Sequence, residues 1–137
     1  MSNQSVFRAA VQAGLDEAAK RGSPSSIAIL DAGRNLVEFS RMENAVLASI
    51  EISQAKAYTA ASFSMDSGAL NDFVQPGAPF YGLQTSHRSA LVTFGGGVPV
   101  MRASKVIASV GVAGGTVDND IAVATVVKQA LEASLQD

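Results

Sequence analysis

Two strand-like runs, SIAILD (26–31) and LVEFSR (36–41), are separated by only four residues, AGRN, and this link constrains the fold more than any other feature of the chain. Strands joined so tightly pair antiparallel, because a parallel pair needs a crossover of a dozen or more residues. The second half repeats the arrangement. ALVTF (90–94), VPVM (98–101) and VIASVGV (106–112) read as strands separated only by GGG (95–97) and RASK (102–105).

Helices flank these runs. Phe7, Val11, Leu15 and Ala18 recur at helical spacing over 3–20, and GSP at 22–24 ends that segment. Residues 46–63, VLASIEISQAKAYTAASF, contain neither Gly nor Pro and predict the strongest helix. Asp66 or Ser67 caps a short helix reaching Val74, and a loop runs from Gln75 to His87. Thr116 is placed to cap a last helix over 117–134, with Asp118 and Asp120 in its first turns, where the helix dipole favours anions. Hairpin-connected strands with helices before, between and after them predict an α+β fold: one domain over 1–137, an antiparallel sheet of about five strands covered by helices. The same order argues against a doubly wound nucleotide-binding fold.

Composition narrows the partners. The ten Lys and Arg are scattered, the net charge is −2, and no basic patch offers itself to nucleic acid. Cysteine is absent, which removes disulfides, thiolate catalysis and zinc–cysteine sites. No basic-then-apolar leader opens the chain and no run of 18 apolar residues occurs, so a cytoplasmic protein without a membrane span is expected.

Few residues carry chemistry. Lys56 sits in a helix whose neighbours are small or apolar, so its ammonium either snorkels to an edge or meets a partner. In the functional version of that choice it binds an acidic ligand group or transfers a proton. Gly95, Gly96 and Gly97 form either a tight turn between strands or a bare backbone floor on which a flat ligand lies. GVAGG (111–115) leads into a helix N-terminus and could cradle an anion, although Asp118 and Asp120 already bring negative charge there. Asp120 could equally hold a cation or a hydroxyl. Arg41 pairs with Glu43 or meets a ligand carboxylate, and Asp31 organises the AGRN turn. His87, the only histidine, stands beside Arg88, the one charged residue of the stretch 75–100, and is the one imidazole available to a metal.

Taken in order, ILDAGRNLVEFSRME, ISQAKAYTAASF, QPGAPFYGL, FGGGVPV and VGVAGGTVDND resemble the GlcG/HbpS-like family of small haem-associated proteins, which includes the C-terminal domain of PduO-type proteins. The likeness covers roughly residues 5–134 and is nearest to small members encoded beside glycerol and propanediol catabolic genes. It implies a profilin-like α+β sandwich, a symmetric homo-oligomer and a small-molecule ligand, with haem or another planar anionic molecule first. The matching positions include Asp31, Arg41, Lys56, Thr59, Gly95, Gly96, Pro99, Gly111 and Asp120. Residues 1–86 hold no histidine, so the first helix has no axial imidazole to give to haem iron, and His87, Tyr58, Tyr81 and the methionines are the remaining donors.

Two functional readings follow. In the first, the QPGAPFYGL loop with Tyr81, the Gly95–Gly97 turn and the Lys56 helix with Thr59 line a ligand groove. Arg41, Lys56 or Arg88 then meets carboxylates, and His87 or a tyrosine meets a metal. In the second, a cofactor-free enzyme acts on a small catabolic intermediate, with Lys56 as acid/base or anion clamp and Asp120 or Arg41 orienting the substrate. Both require the glycine corner and the Lys56 ammonium to share one hollow.

Overall fold

The structure is a computed structural model that describes residues 2–136. Helix α1 (Asn3–Lys20) leads into the hairpin β1 (Ser26–Asp31) and β2 (Leu36–Arg41). Helix α2 (Ala48–Phe63) follows, then 3-10 turns at Ser67–Phe73 and Leu83–Thr85. A second hairpin, β3 (Gly97–Arg102) and β4 (Lys105–Ala113), and helix α3 (Val117–Ser134) complete the chain. Each strand pairs antiparallel with its neighbour in the order β2-β1-β4-β3, so the two hairpins meet through β1 and β4.

The fold is α+β, with four strands rather than five. ALVTF (90–94) is not a strand, although its short run of apolar and β-branched residues suggests one. The Val92 N–H donates to Thr59 Oγ1 at 2.9 Å, so α2 rather than a neighbouring strand satisfies this stretch of backbone. GGG is correspondingly not a turn between two strands: Gly97 opens β3.

Strand alternation sends two different surfaces to the two sides of the sheet. Ile27, Ile29, Val98, Val100, Val110 and Val112 form one face, and they pack with Val6, Val11, Val123, Val127 and Leu131 of α1 and α3 into the main core. The register places Ile27 opposite Val112 and Val98 opposite Val110, which keeps this face continuous. The other face carries Ser26, Ala28, Pro99, Ser109 and Gly111, all small, and α2 lies against it with Ser49, Ser53, Ala57 and Ala60. Small residues on both partners bring helix and sheet into close approach. A Cβ on Gly111 would run into the Ser53 carbonyl oxygen, and the Ser26 and Ser49 hydroxyls meet at 2.8 Å. Helix α2 therefore covers one side of the sheet, and α1 with α3 the other.

Candidate functional site

Lys56 lies on the sheet-facing side of α2 and is 1 % exposed. Its Nζ donates to the Val112 carbonyl at 2.8 Å and to Asp120 Oδ2 at 3.0 Å. Asp120 is set by the first turn of α3, whose N-cap Thr116 accepts from the Asn119 N–H. Its second oxygen, Oδ1, accepts from the Gly115 N–H at 3.1 Å. The anion cradle expected at GVAGG is thus filled by the chain's own carboxylate. Burial pushes the Lys56 ammonium below its ordinary pKa, and the adjacent Asp120 charge and hydrogen bond oppose that shift. The Phe94 ring covers the ammonium with its centroid 5.0 Å from Nζ.

The glycine corner is built around this pair. The Val112 N–H donates to the Gly96 carbonyl at 2.9 Å, while the Val112 carbonyl takes the ammonium instead of a strand donor. Gly96 turns the chain with φ +122°, and a Cβ there would lie 2.6 Å from the Val112 oxygen and 2.7 Å from Lys56 Nζ. Only glycine fits. Ser67 then ties the corner to the 3-10 turn: its hydroxyl donates to the Phe94 carbonyl at 2.7 Å and accepts from the Gly97 N–H at 2.9 Å. From α3, Ile121 and Val117 close over Gly95, where a Cβ would lie 2.6 Å from Ile121 Cδ1.

In front of the corner opens a cleft of about 470 Å³, walled by Gly68 and Ala69 on one side and Val117 and Ile121 on the other, with Gly95–Gly97 as its floor. Asp66, Asn71 and Thr93 supply its polar groups. Phe94, Val117 and Ile121 are each more than 40 % exposed at its rim. The corner and the ammonium do meet, but back to back: Gly96 faces the cleft and contacts Lys56, whereas Lys56 is not among the cleft's lining residues.

The remaining sequence candidates lie elsewhere. Thr59 is buried as the link from α2 to Val92, and it also donates to the Ala55 carbonyl. Arg41 donates through Nε and Nη2 to the Ala45 carbonyl at 3.3 and 3.0 Å, so that contact replaces the expected ion pair with Glu43. Tyr81 is exposed on the 75–90 segment, and Arg88 is exposed as well. His87 is half-buried, with Nδ1 2.8 Å from the Ser86 hydroxyl and its ring packed against Tyr58 and Phe63 at centroid distances of 6.0 and 5.6 Å. The QPGAPFYGL loop does not wall the glycine cleft. Its Phe80 and Leu83 close a separate apolar hollow with Phe63, Met65, Leu70 and Phe73. Among the described residues no cluster of three or more His, Cys, Asp or Glu is arranged to hold a metal. Sequence reasoning missed Ser67, Phe94, Val117 and Ile121 as parts of the site, because neither the serine's two long-range bonds nor the rim they complete leaves a local pattern.

An antiparallel sheet between one helix and a helix pair, with a glycine-floored cleft at the start of the last helix, defines a small α+β domain with a preformed apolar pocket. The chain matches the family described as haem degrading protein HbpS-like over residues 3–128, and it belongs to that family. It is 44 % identical over 97 residues to the uncharacterized 15.0 kDa protein of the dhaT–dhaS intergenic region of Citrobacter freundii, covering 71 % of this chain and 68 % of that one. It is also 35 % identical over 113 residues to the corrinoid adenosyltransferase PduO of Salmonella typhimurium, covering 82 % of this chain but only 34 % of PduO. The chain thus spans about a third of that relative. Among solved structures, the Klebsiella pneumoniae protein ORFY superposes with a TM-score of 0.91 at 31 % identity, covering 97 % of this chain and 91 % of that one. A PduOC:haem complex superposes with a TM-score of 0.87 at 32 % identity, covering 92 % and 91 %. Among the described residues no helix is long and apolar enough to cross a membrane.

Proposed function

We propose that this chain is a binding module whose ligand is planar and largely apolar, haem being the first candidate, and that the ligand lies in the glycine-floored cleft. The observation that carries this reading is the cleft itself: a preformed hollow of about 470 Å³ whose floor is bare backbone and whose walls are mostly apolar. That volume falls within the usual range of small-molecule pockets, and side-chain-free backbone lets a flat ring system approach closely. The PduOC:haem complex, a neighbour of the same fold, supports haem as the ligand.

The residues fit the macrocycle better than its iron. The lining offers Asp66, Asn71 and Thr93 as polar groups and includes no histidine, tyrosine or methionine. His87 and Tyr58 pack against each other away from the cleft. What this chain supplies there is shape, an apolar surface and exclusion of water, with Lys56 and Asp120 bracing the floor from behind. The burial of Lys56 supports that bracing role over proton transfer to a substrate.

Titrating the protein with haem tests the reading. One equivalent per chain should produce a saturable change in the Soret region, and Ala69→Trp, which fills the cleft from an exposed wall position, should weaken it at least tenfold. No saturable change, or binding indifferent to Ala69→Trp, overturns the assignment. The dhaT–dhaS region relative and PduO support an accessory role beside catabolic enzymes. The apolar rim supports self-association, which a solution mass above 14.0 kDa would reveal.

A further inference from the structure

A second groove, of about 370 Å³, lies along the outer side of α2 beneath Ser89 and Ala90, with Arg34 at its mouth. Arg34 is a non-glycine residue held at φ +66° in the β1–β2 turn, a backbone region that side chains rarely adopt and that persists where the surroundings impose it. Its guanidinium is fixed from one side. Nη1 donates to Tyr58 Oη and to Ser62 Oγ, both at 3.1 Å, and the cation sits 4.8 Å from the Tyr58 ring centroid. Both acceptors are neutral, and among the described residues Arg34 forms no ion pair. One nitrogen is used for positioning, while Nε and Nη2 keep the fork that matches a carboxylate.

The groove also has an opposite pole. Glu51 lines it about two helical turns before Tyr58, roughly 10 Å along the axis. Between the poles, Leu30, Leu36 and Ala55 give an apolar wall, and Gln54 a neutral amide. An anion alone would gain at Arg34 and lose near Glu51. A molecule with a carboxylate at one end and an ammonium or hydroxyl donor at the other satisfies both.

We propose that this groove is a second binding site, separate from the glycine cleft, for a short carboxylic acid carrying a hydrogen-bond donor at its far end. The probe is 4-aminobutanoate, followed by calorimetry and by ¹H–¹⁵N spectra of Arg34 Nε–H and the Gln54 side chain. It should shift both signals saturably and bind at least threefold more tightly than butanoate. Arg34→Gln should weaken it tenfold or more. Arg34→Lys, which keeps the charge without the fork, should weaken it less but measurably, and it guards against a variant that fails to fold. Glu51→Gln should remove the preference over butanoate. The proposal is overturned if butylamine or sodium chloride moves the same signals equally, or if Arg34→Gln and Glu51→Gln leave binding unchanged. Haem titration of Arg34→Gln separates the two sites. Unaltered haem binding supports independence, whereas loss of haem binding with no response to 4-aminobutanoate assigns the arginine to a haem propionate and overturns the second site.

Discussion

Lys56 Nζ stands 3.0 Å from Asp120 Oδ2 across the sheet edge, and the two side chains are 1 % and 3 % exposed. Each charge is held in low dielectric by the other, so removing one leaves the partner buried and unpaired. Lys56→Met should therefore destabilise by about 3–5 kcal/mol, the range found when one member of a buried pair is deleted. Asp120→Asn keeps the shape but loses the charge and should cost less. In the double variant Lys56→Met/Asp120→Asn the loss should fall well short of the sum of the single losses. Urea unfolding of all four proteins measures this, and additive losses would show that the pair is not coupled.

Gly96 combines crowding with backbone strain, whereas Gly22 carries the strain of a left-handed turn alone. Both have positive φ, +122° and +62°, but nothing lies within 4 Å of a Cβ built on Gly22. Gly22→Ala should cost about 1 kcal/mol, the conformational term alone. Gly96→Ala must also displace the Val112 carbonyl or the Lys56 ammonium and should cost about 3–5 kcal/mol. Equal losses in thermal or urea unfolding would mean that the corner is not built around the ammonium.

How much of this was legible in the sequence depends on the range of the interaction. The β1–β2 hairpin and the last helix can be read because four linking residues and a Thr116 cap are local signals. ALVTF misleads because an apolar, β-branched run records burial, and Leu91 and Thr93 are indeed buried, but Thr59 of α2 takes the backbone bond that a partner strand would have made. Lys56 and Asp120 each stand out singly, one as a lysine among alanines and the other in a helix's first turn. Their pairing spans 64 positions and follows only from how closely α2 approaches the sheet. The stretch 75–100, whose one charged residue is Arg88, divides in the same way. Its glycines floor the cleft, while Phe80 and His87 pack with Phe63 on a different part of the surface.

Asp31 should make the turn of the first hairpin sensitive to acid. Its carboxylate accepts from the Asn35 N–H and the Gly33 N–H, both at 2.9 Å, and from the Asn35 side chain. Led by the Asn35 backbone bond, these donors hold it below its ordinary value of 3.8. The folded pKa is thus lower than the unfolded one. The stabilisation is complete above the ordinary value and disappears as pH falls through the folded value. Asp31→Ala should be less stable than the parent at neutral pH, and the gap should narrow along the acid limb below 3.8. Unfolding curves across that range check the sign, and a constant gap would remove the charge from the explanation.

Ser67 offers the sharpest separation between the cleft and the rest of the fold. Its hydroxyl is the only side-chain group in the described residues that bonds both ends of the corner, the Phe94 carbonyl and the Gly97 N–H. Ser67→Ala removes a donor and an acceptor at once and leaves the Gly97 N–H buried without its partner, a loss of about 2–3 kcal/mol. The main core between the sheet and α1 with α3 contains no atom of Ser67, so it should stay intact. Amide exchange should quicken at Gly97 and in the 67–73 turn while remaining slow at Val110 and Val127, and haem affinity should fall with it. Uniformly faster exchange would mean that the serine supports the whole fold rather than the cleft wall.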